Sequence, residues 1–393
     1  MRTTPRLAGA LVAAMLPLSL TIAPSYGAPA EPPHVDIVAD ELPTGPAPRT
    51  AYVDADELVR PDGRSSGDLG EQAYAPVRVR GGYLVGAQTP RSTGRWYDDT
   101  LFVPDHGTTR RILRQPWAGT ANYFLGRSTV SADGRLIAML TSGYDPELVG
   151  VVVKRVSDGR TLVKRRDLDG EVLAVKGRRV LVLRDAPSRK ARPQLVWWHV
   201  GTDRMTPVLT APKSHLGDTW DGAGDYRFGG AAAANLSTHQ VAIPRRGREI
   251  VRPLPGHRGL TWRTDRGEVV QSWSPNDRLV LTAVDAGPFA GGGELPQTAT
   301  LRIRQAATGT VVGEIRGLVG VDTEFHRSPV WESSDTLLTS AWSAYVPDDD
   351  RPRLDGRREI RCTVSSLTCE AVLPEPAPSG YRPTSLWATR PSS

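Results

Sequence analysis

Aromatic and acidic residues occur close together in several polar segments of the sequence, and this pairing is its clearest chemical pattern. An aromatic ring offers a large flat surface, and a carboxylate accepts hydrogen bonds from hydroxyl groups, so the two can hold a sugar together. The residues with this pattern are Trp96, Tyr97, Asp98, Trp117, Tyr123, Trp220, Asp221, Asp225, Tyr226 and Tyr345, with Asp99, Asp218 and Phe289 nearby. They predict a ligand-binding surface, and burial of each ring beneath its own loop is the alternative.

Motifs of known catalytic chemistry are weak in this sequence. It contains no Gly-x-Ser-x-Gly segment, and its 7 histidines show no His-Glu-x-x-His spacing. Asp167, Asp169 and Glu171 share part of a calcium-loop pattern, but Gly170 falls too early and the closing glutamate is missing. Paired carboxylates of a glycosidase could still come from distant segments. We therefore predict no cofactor and no metal site, and the sequence favours a binding protein over an enzyme.

The charge is basic but dispersed. The net charge is +6 with a pI near 9.5, yet the densest basic groups are short pairs such as Arg110 with Arg111. Nucleic-acid binding requires clustered basic residues, so we expect no nucleic-acid partner. Weak attraction to an anionic cell wall stays open.

The first 30 residues have the layout of a secretory signal peptide. Arg2 and Arg6 precede an apolar stretch over 7–22, and small residues follow it. Cleavage after Gly27 or after Ala30 fits equally well. The alternative is an uncleaved anchor, but the apolar run is shorter than the ~20 residues of a membrane span. We expect a secreted protein without a membrane span after cleavage, and association with the cell envelope stays open.

The two cysteines, Cys362 and Cys369, flank a polar turn near the C-terminus. In an exported chain, this arrangement predicts a disulfide across a β-hairpin. Two cysteines with no third ligand nearby are too few for zinc.

Two turns have nearly the same sequence: Ser-Ala-Asp-Gly-Arg-Leu from Ser131 and Ser-Pro-Asn-Asp-Arg-Leu from Ser274. Each should be a tight turn that begins a buried strand, because Asp, Asn and Gly favour turn conformations. Weaker copies lie at 81–87, 176–183, 237–243 and 333–339. A second set of hairpin turns follows at 105–108, 157–159, 201–203, 256–259, 307–309 and 365–367.

Two hairpins per repeat of about 40–60 residues are typical of four-stranded propeller blades, so we predict an all-β chain. Six whole blades are visible. Strands at 50–54 and 58–62, together with one at 385–390, would form a seventh blade from both chain ends. The prediction is one seven-bladed β-propeller over 50–390, preceded by an extended Pro/Ala-rich segment over 31–49. Six blades with extra edge strands is the alternative.

The turns at Ser131 and Ser274 resemble the S-P-D-G-x-x-L/I signature of TolB-like propellers, which are related to WD40-like repeats. The export signal and the Arg-rich composition are similar to those of secreted actinobacterial proteins of this kind. The resemblance implies the propeller fold and no particular activity.

The tight turns should lie at one end of the strands, because turns alternate between the two ends of an antiparallel meander. The longer connections, at 91–99, 116–123, 185–194, 212–226, 285–297 and 345–358, should share the other end. We name the two ends the turn face and the long-loop face. We expect a monomeric, secreted, non-enzymatic scaffold that binds a protein or a cell-envelope polymer through the long-loop face. The alternative is a glycoside hydrolase or lyase that uses carboxylates of the same face.

Overall fold

The apolar runs of the sequence become strands in a computed structural model of the chain. Contacts divide the chain into two units, Met1–Glu31 and Pro32–Ser393. The structure describes residues 31–54, 56–70, 72–90, 96–116, 128–141, 150–166, 168, 170–184, 192–210, 233–245, 248–285, 297–321, 329–346 and 353–373. All structural statements below concern these residues.

The strands follow one another with almost no other regular structure. The N-terminal part contains β1 (His34–Ile37), a 3-10 turn (Ala39–Glu41), β2 (Tyr52–Asp54) and β3 (Glu57–Val59). The first sheet comprises β4 (Gln72–Val79), β5 (Gly82–Pro90), β6 (Trp96–Pro104) and β7 (Arg110–Pro116). The second comprises β8 (Ser128–Val130), β9 (Leu136–Thr141), β10 (Gly150–Arg155) and β11 (Thr161–Arg165). The third comprises β12 (Gly170–Lys176), β13 (Arg179–Arg184), β14 (Gln194–His199) and β15 (Arg204–Thr210).

The second half of the chain repeats this plan. The fourth sheet comprises β16 (Ala233–Asn235), β17 (Gln240–Arg245), β18 (Arg248–Pro253) and β19 (Trp262–Arg263). The fifth unit comprises β20 (Glu268–Trp273), β21 (Leu279–Asp285), β22 (Gln297–Gln305) and β23 (Val311–Val321). The sixth comprises β24 (Val330–Ser333), β25 (Thr336–Trp342), a side hairpin β26 (Ala344–Val346) and β27 (Arg353–Asp355), β28 (Arg358–Thr363) and β29 (Thr368–Ala371).

Each of the first four sheets is a four-stranded antiparallel meander. The fifth and sixth units join into one nine-stranded sheet, because β23 pairs with β25 and also, in parallel, with β1. The prediction of an all-β chain of repeated four-stranded units is confirmed, and such meanders are the building units of propellers. Within the described part of the chain, no helix is long and apolar enough to cross a membrane.

The two predicted turns of similar sequence form the same hydrogen bonds. The Ser131 hydroxyl accepts from the Leu136 amide at 2.9 Å and donates to Asp133, and the Ser274 hydroxyl accepts from the Leu279 amide at 3.0 Å and donates to Asn276. The fourth position of each turn needs a positive φ. Gly134 supplies it with φ 65°, and Asp277 with φ 60°. The local sequence therefore specifies these turns.

Successive sheets pack face to face in chain order, and alternating apolar residues of each sheet fill the interfaces. One buried pair of residues from each interface illustrates the order: Leu84 and Met139, Val151 and Trp198, Leu181 and Val241, and Val251 and Val280. The first strands of consecutive sheets also touch, from β8 to β12, β16 and β20. The second, third and fourth sheets are thereby each packed between two neighbouring sheets.

The N-terminal residues pack against both ends of this series. Val53 and Leu58 of the β2–β3 hairpin are buried against the first sheet, while Tyr52 packs against Val330 and Leu338 of the sixth unit. The segment before this hairpin runs along the sixth unit, where the Gly45 amide donates to the Ala371 carbonyl at 2.6 Å. The predicted strand at 385–390 lies outside the described residues.

The predicted disulfide is confirmed. Cys362 and Cys369 face each other across the β28–β29 hairpin and form a disulfide bond.

Candidate functional site

The segment predicted to carry Trp96, Tyr97, Asp98 and Asp99 as a loop is largely a strand. The prediction of a connection over 91–99 is wrong at its end, because β6 begins at Trp96 and pairs with β5 as far as Pro90. Consecutive aspartates are unfavourable in isolated strands, and cross-strand partners decide such cases. Here the partner is Arg114, which lies directly opposite Asp99 in β7.

One face of β6 carries an ion pair at its long-loop end. The Arg114 guanidinium donates to both oxygens of Asp99, at 2.8 and 2.6 Å, and the Thr89 hydroxyl donates to the same carboxylate at 2.9 Å. The guanidinium also lies 4.4 Å from the centre of the Tyr97 ring, in cation–π geometry. Asp99 is thus neutralised and fixed, and Tyr97 is partly covered by Arg114.

The opposite face of β6 carries Asp98, whose side chain is only 2% exposed. Side chains alternate along a strand, so Asp98 lies on the same face as Phe102, which packs against the second sheet. Burial, together with the neighbouring charge of Asp99, raises the pKa of Asp98 to about 7. The Tyr74 hydroxyl opposes part of this rise, but within the described residues neither carboxylate oxygen receives a hydrogen bond of ordinary geometry. Asp98 therefore changes its protonation state near neutral pH.

Tyr74 and Gly86 complete this environment, and the sequence did not single out either of them. They are paired across β4 and β5, and the Tyr74 ring lies so close to Gly86 that a Cβ at position 86 would overlap it. Glycine is thus needed at this position to let the ring approach the backbone. The sequence could not have identified Tyr74 and Gly86 as neighbours, because only the register of β4 against β5 brings them together.

The remaining predicted site residues are not brought together by the described structure. Tyr345 was predicted in a connection over 345–358 and instead lies in β26, opposite Leu354. Six predicted residues lie outside the described residues: Trp117, Tyr123, Trp220, Asp221, Asp225 and Tyr226. Their role as ligand-binding residues stays a prediction.

A second group of buried carboxylates lies at the long-loop ends of the fourth and fifth units. Glu268 accepts from Arg304 at 2.7 and 2.6 Å and from the Thr282 hydroxyl, so its charge is compensated. Glu249 is fully buried and accepts from the Val270 amide at 2.6 Å. Burial raises its pKa well above the ordinary value, and the charges of Glu171 and Glu268 add to the rise. Among the described residues, no group of three His, Cys, Asp or Glu side chains could hold a metal ion.

Neither a protein-family profile nor a curated protein matches this sequence. The β-propeller domain of the Trilobed protease from Pyrococcus furiosus, which has an open velcro topology, is similar over 78% of this chain and 99% of its own, with 9% identity and a TM-score of 0.40. A prolyl endopeptidase is similar over 74% of this chain, with 12% identity and a TM-score of 0.38, and the chain spans about half (53%) of that protein.

A eukaryotic initiation factor is similar over 88% of this chain and 98% of its own, with 12% identity and a TM-score of 0.38. With TM-scores of 0.40 or lower, none of these three likenesses supports a statement about activity, substrate or partner.

Proposed function

We propose that this chain is a secreted, non-enzymatic β-propeller scaffold that binds a protein or a cell-envelope polymer through its long-loop face. The observation that carries the proposal is the arrangement of Asp98 and Asp99. Their side chains point to opposite faces of β6, so they cannot act together as acid and base on one bond. Asp99 is also engaged by Arg114. What this end of the sheet offers to a ligand is the half-buried Tyr97 ring and the exposed Arg114 side chain beside it.

The proposed scaffold has seven blades, the seventh formed by both chain ends. The position of the β2–β3 hairpin supports this, because its residues pack against the first sheet on one side and the sixth unit on the other. A blade between these two units would cover both outer sheet faces and leave no open end to the series. Secretion is supported by the signal-like N-terminal 30 residues and by the Cys362–Cys369 disulfide, which needs an oxidising compartment.

The binding proposal predicts retention of the mature protein on a cell-envelope polymer. The probes are insoluble peptidoglycan, chitin and cellulose, with the bound fraction measured by sedimentation. Trp96→Ala or Trp220→Ala should weaken retention at least about 10-fold, as expected when a stacking aromatic is removed. The control is Leu260→Ala, which truncates an exposed apolar side chain (63% exposed) in the β18–β19 turn of the turn face.

Equal retention of the Trp96, Trp220 and Leu260 variants would contradict binding through the long-loop face. Retention on none of the three polymers would remove the polymer as ligand and leave a protein partner.

An enzyme acting on carbohydrate is the second candidate, and the pKa of Asp98 favours it. A carboxyl group with a pKa of about 7 is in the range of a general acid at neutral pH. If this candidate is correct, Asp98→Asn should abolish release of reducing sugar from soluble polysaccharides while the affinity for them is kept. The wild-type protein showing no such release would rule the candidate out for these substrates.

A further inference from the structure

Four basic residues form a straight row across the third sheet at the turn face. Lys176 of β12 lies directly opposite Arg179 of β13, Arg179 lies opposite His199 of β14, and His199 lies opposite Arg204 of β15. Directly paired residues point to the same face of a sheet. Strands are spaced about 4.8 Å apart, so the row extends over about 14 Å. The sequence alone does not show this row, because its members come from four different strands.

No carboxylate among the described residues compensates the charges of this row, and the Arg179 guanidinium lies 5.1 Å from the centre of the Trp197 ring. Lys176, Arg179 and Arg204 are exposed, and none of the three forms an ion pair within the described part of the chain. The nearest carboxylate in sequence, Asp203, is already held by the Trp198 indole at 2.8 Å and by Arg165 at 2.9 Å. Like charges directly opposite each other destabilise a sheet. The row therefore lowers the stability of the free protein, and bound negative charge would offset this cost.

One further arginine and a pair of histidines lie near the row. Arg178 lies in the turn between Lys176 and Arg179 and runs along Gly201, with Nη1 3.7 Å from the position that a Cβ would take there. On the neighbouring fourth sheet, the rings of His239 and His257 stack with centroids 3.7 Å apart. Burial lowers the pKa of His239, and the charges of His257 and Lys176 lower it further. Arg178 thus adds a positive charge beside the row, at the turn end of the third sheet.

We propose that this row, Lys176, Arg179, His199 and Arg204, binds a linear polymer that carries phosphate groups. The row offers the cations of Lys176, Arg179 and Arg204 and the imidazole donor of His199 along one line, which matches a chain with repeating negative groups. Each phosphate within such a chain keeps two charged, non-bridging oxygens set at a tetrahedral angle, so one group can accept from two adjacent members of the row. A carboxylate has two oxygens in one plane and matches a single guanidinium. The row lies at the turn face, away from the long-loop face. The proposal of a phosphate-polymer site is therefore independent of whether the long-loop face binds a ligand.

The test is titration of the full mature protein with long-chain inorganic polyphosphate, measured by calorimetry at several salt concentrations. The double variant Arg179→Gln/Arg204→Gln should bind at least about 10-fold more weakly. The slope of log K against log salt should fall by about 2, since two cations no longer contact the polymer. The matched control is Arg248→Gln/Arg266→Gln, which removes two exposed arginines at the long-loop ends of the fourth and fifth units. It should bind within about 2-fold of the wild type, since nonspecific charge alone gives only a weak effect at this distance.

Two comparisons complete the experiment. Poly-glutamate, a carboxylate polymer, should bind more weakly than polyphosphate at the same ionic strength, and equal affinity would overturn the phosphate assignment. Equal weakening of polymer binding in both double variants would show that net charge alone attracts the polymer and would overturn the site.

A stability measurement separates a binding role of the row from a structural one. The denaturation midpoint of the Arg179→Gln/Arg204→Gln protein should equal or exceed that of the wild type, because repulsion is relieved. A clearly lower midpoint would mean that the row is structural.

Discussion

Replacing Arg361 by methionine is expected to lower the free energy of unfolding by about 3–5 kcal/mol, because it removes the guanidinium that donates two hydrogen bonds to the buried carboxylate of Glu332. Arg361 and Glu332 are each no more than 7% exposed and are joined by hydrogen bonds of 2.7 and 3.0 Å. The same guanidinium donates to the carbonyls of Pro46 and Ala47 at 2.9 and 3.0 Å. The substitution should therefore also loosen the N-terminal segment. Urea denaturation measures the stability, and limited proteolysis within 43–49 measures the loosening.

Two controls separate the buried charge from the loss of a side chain. The double variant Arg361→Met/Glu332→Met removes both charges, so it should cost much less than the single change. Arg155→Met breaks the exposed pair with Asp158, whose side chains are 41% and 46% exposed, and should cost under about 1 kcal/mol. If Arg361→Met were no more destabilising than Arg155→Met, the proposed role of the buried pair would be wrong.

Replacing Asp98 by asparagine is expected to stabilise the protein at pH 8 by up to about 4 kcal/mol and to leave it nearly unchanged at pH 4. The folded pKa of Asp98 is about 7 and its ordinary value is 3.8, so the folded protein binds one more proton than the unfolded chain between these values. The contribution of Asp98 to the stability of the wild type therefore falls as the pH rises from about 4 to about 7, and an uncharged asparagine removes that loss. Urea midpoints between pH 4 and pH 8 test this.

Asp99→Asn is the matched control, since it makes the same chemical change one residue away. It should destabilise the protein at pH 8, because Arg114 loses a carboxylate that it holds through two hydrogen bonds. The two adjacent substitutions should thus change the stability at pH 8 in opposite directions. A lower midpoint for Asp98→Asn at pH 8 would show instead that the Asp98 carboxylate is charged and stabilised in the folded protein.

The sequence by itself determined the features that depend on short segments. The turns at Ser131 and Ser274 were predicted from their residues, because their hydrogen bonds join groups at most five positions apart. The strands between them followed from apolar runs bounded by turn residues. The Cys362–Cys369 disulfide was predictable for the same reason, because it closes one hairpin.

Only the tertiary structure decided which charged groups meet. Arg361 and Pro46 are 315 positions apart, and the ion pair of Asp99 with Arg114 exists only in one register of β6 and β7. The same reason explains why the basic residues looked dispersed along the chain, although register places Lys176, Arg179, His199 and Arg204 in one row. Local sequence sets turn and strand geometry, whereas the environment of a charge depends on the residues that packing and strand pairing bring beside it. The protonation of Asp98 and the row across the third sheet could be found only once those neighbours were known.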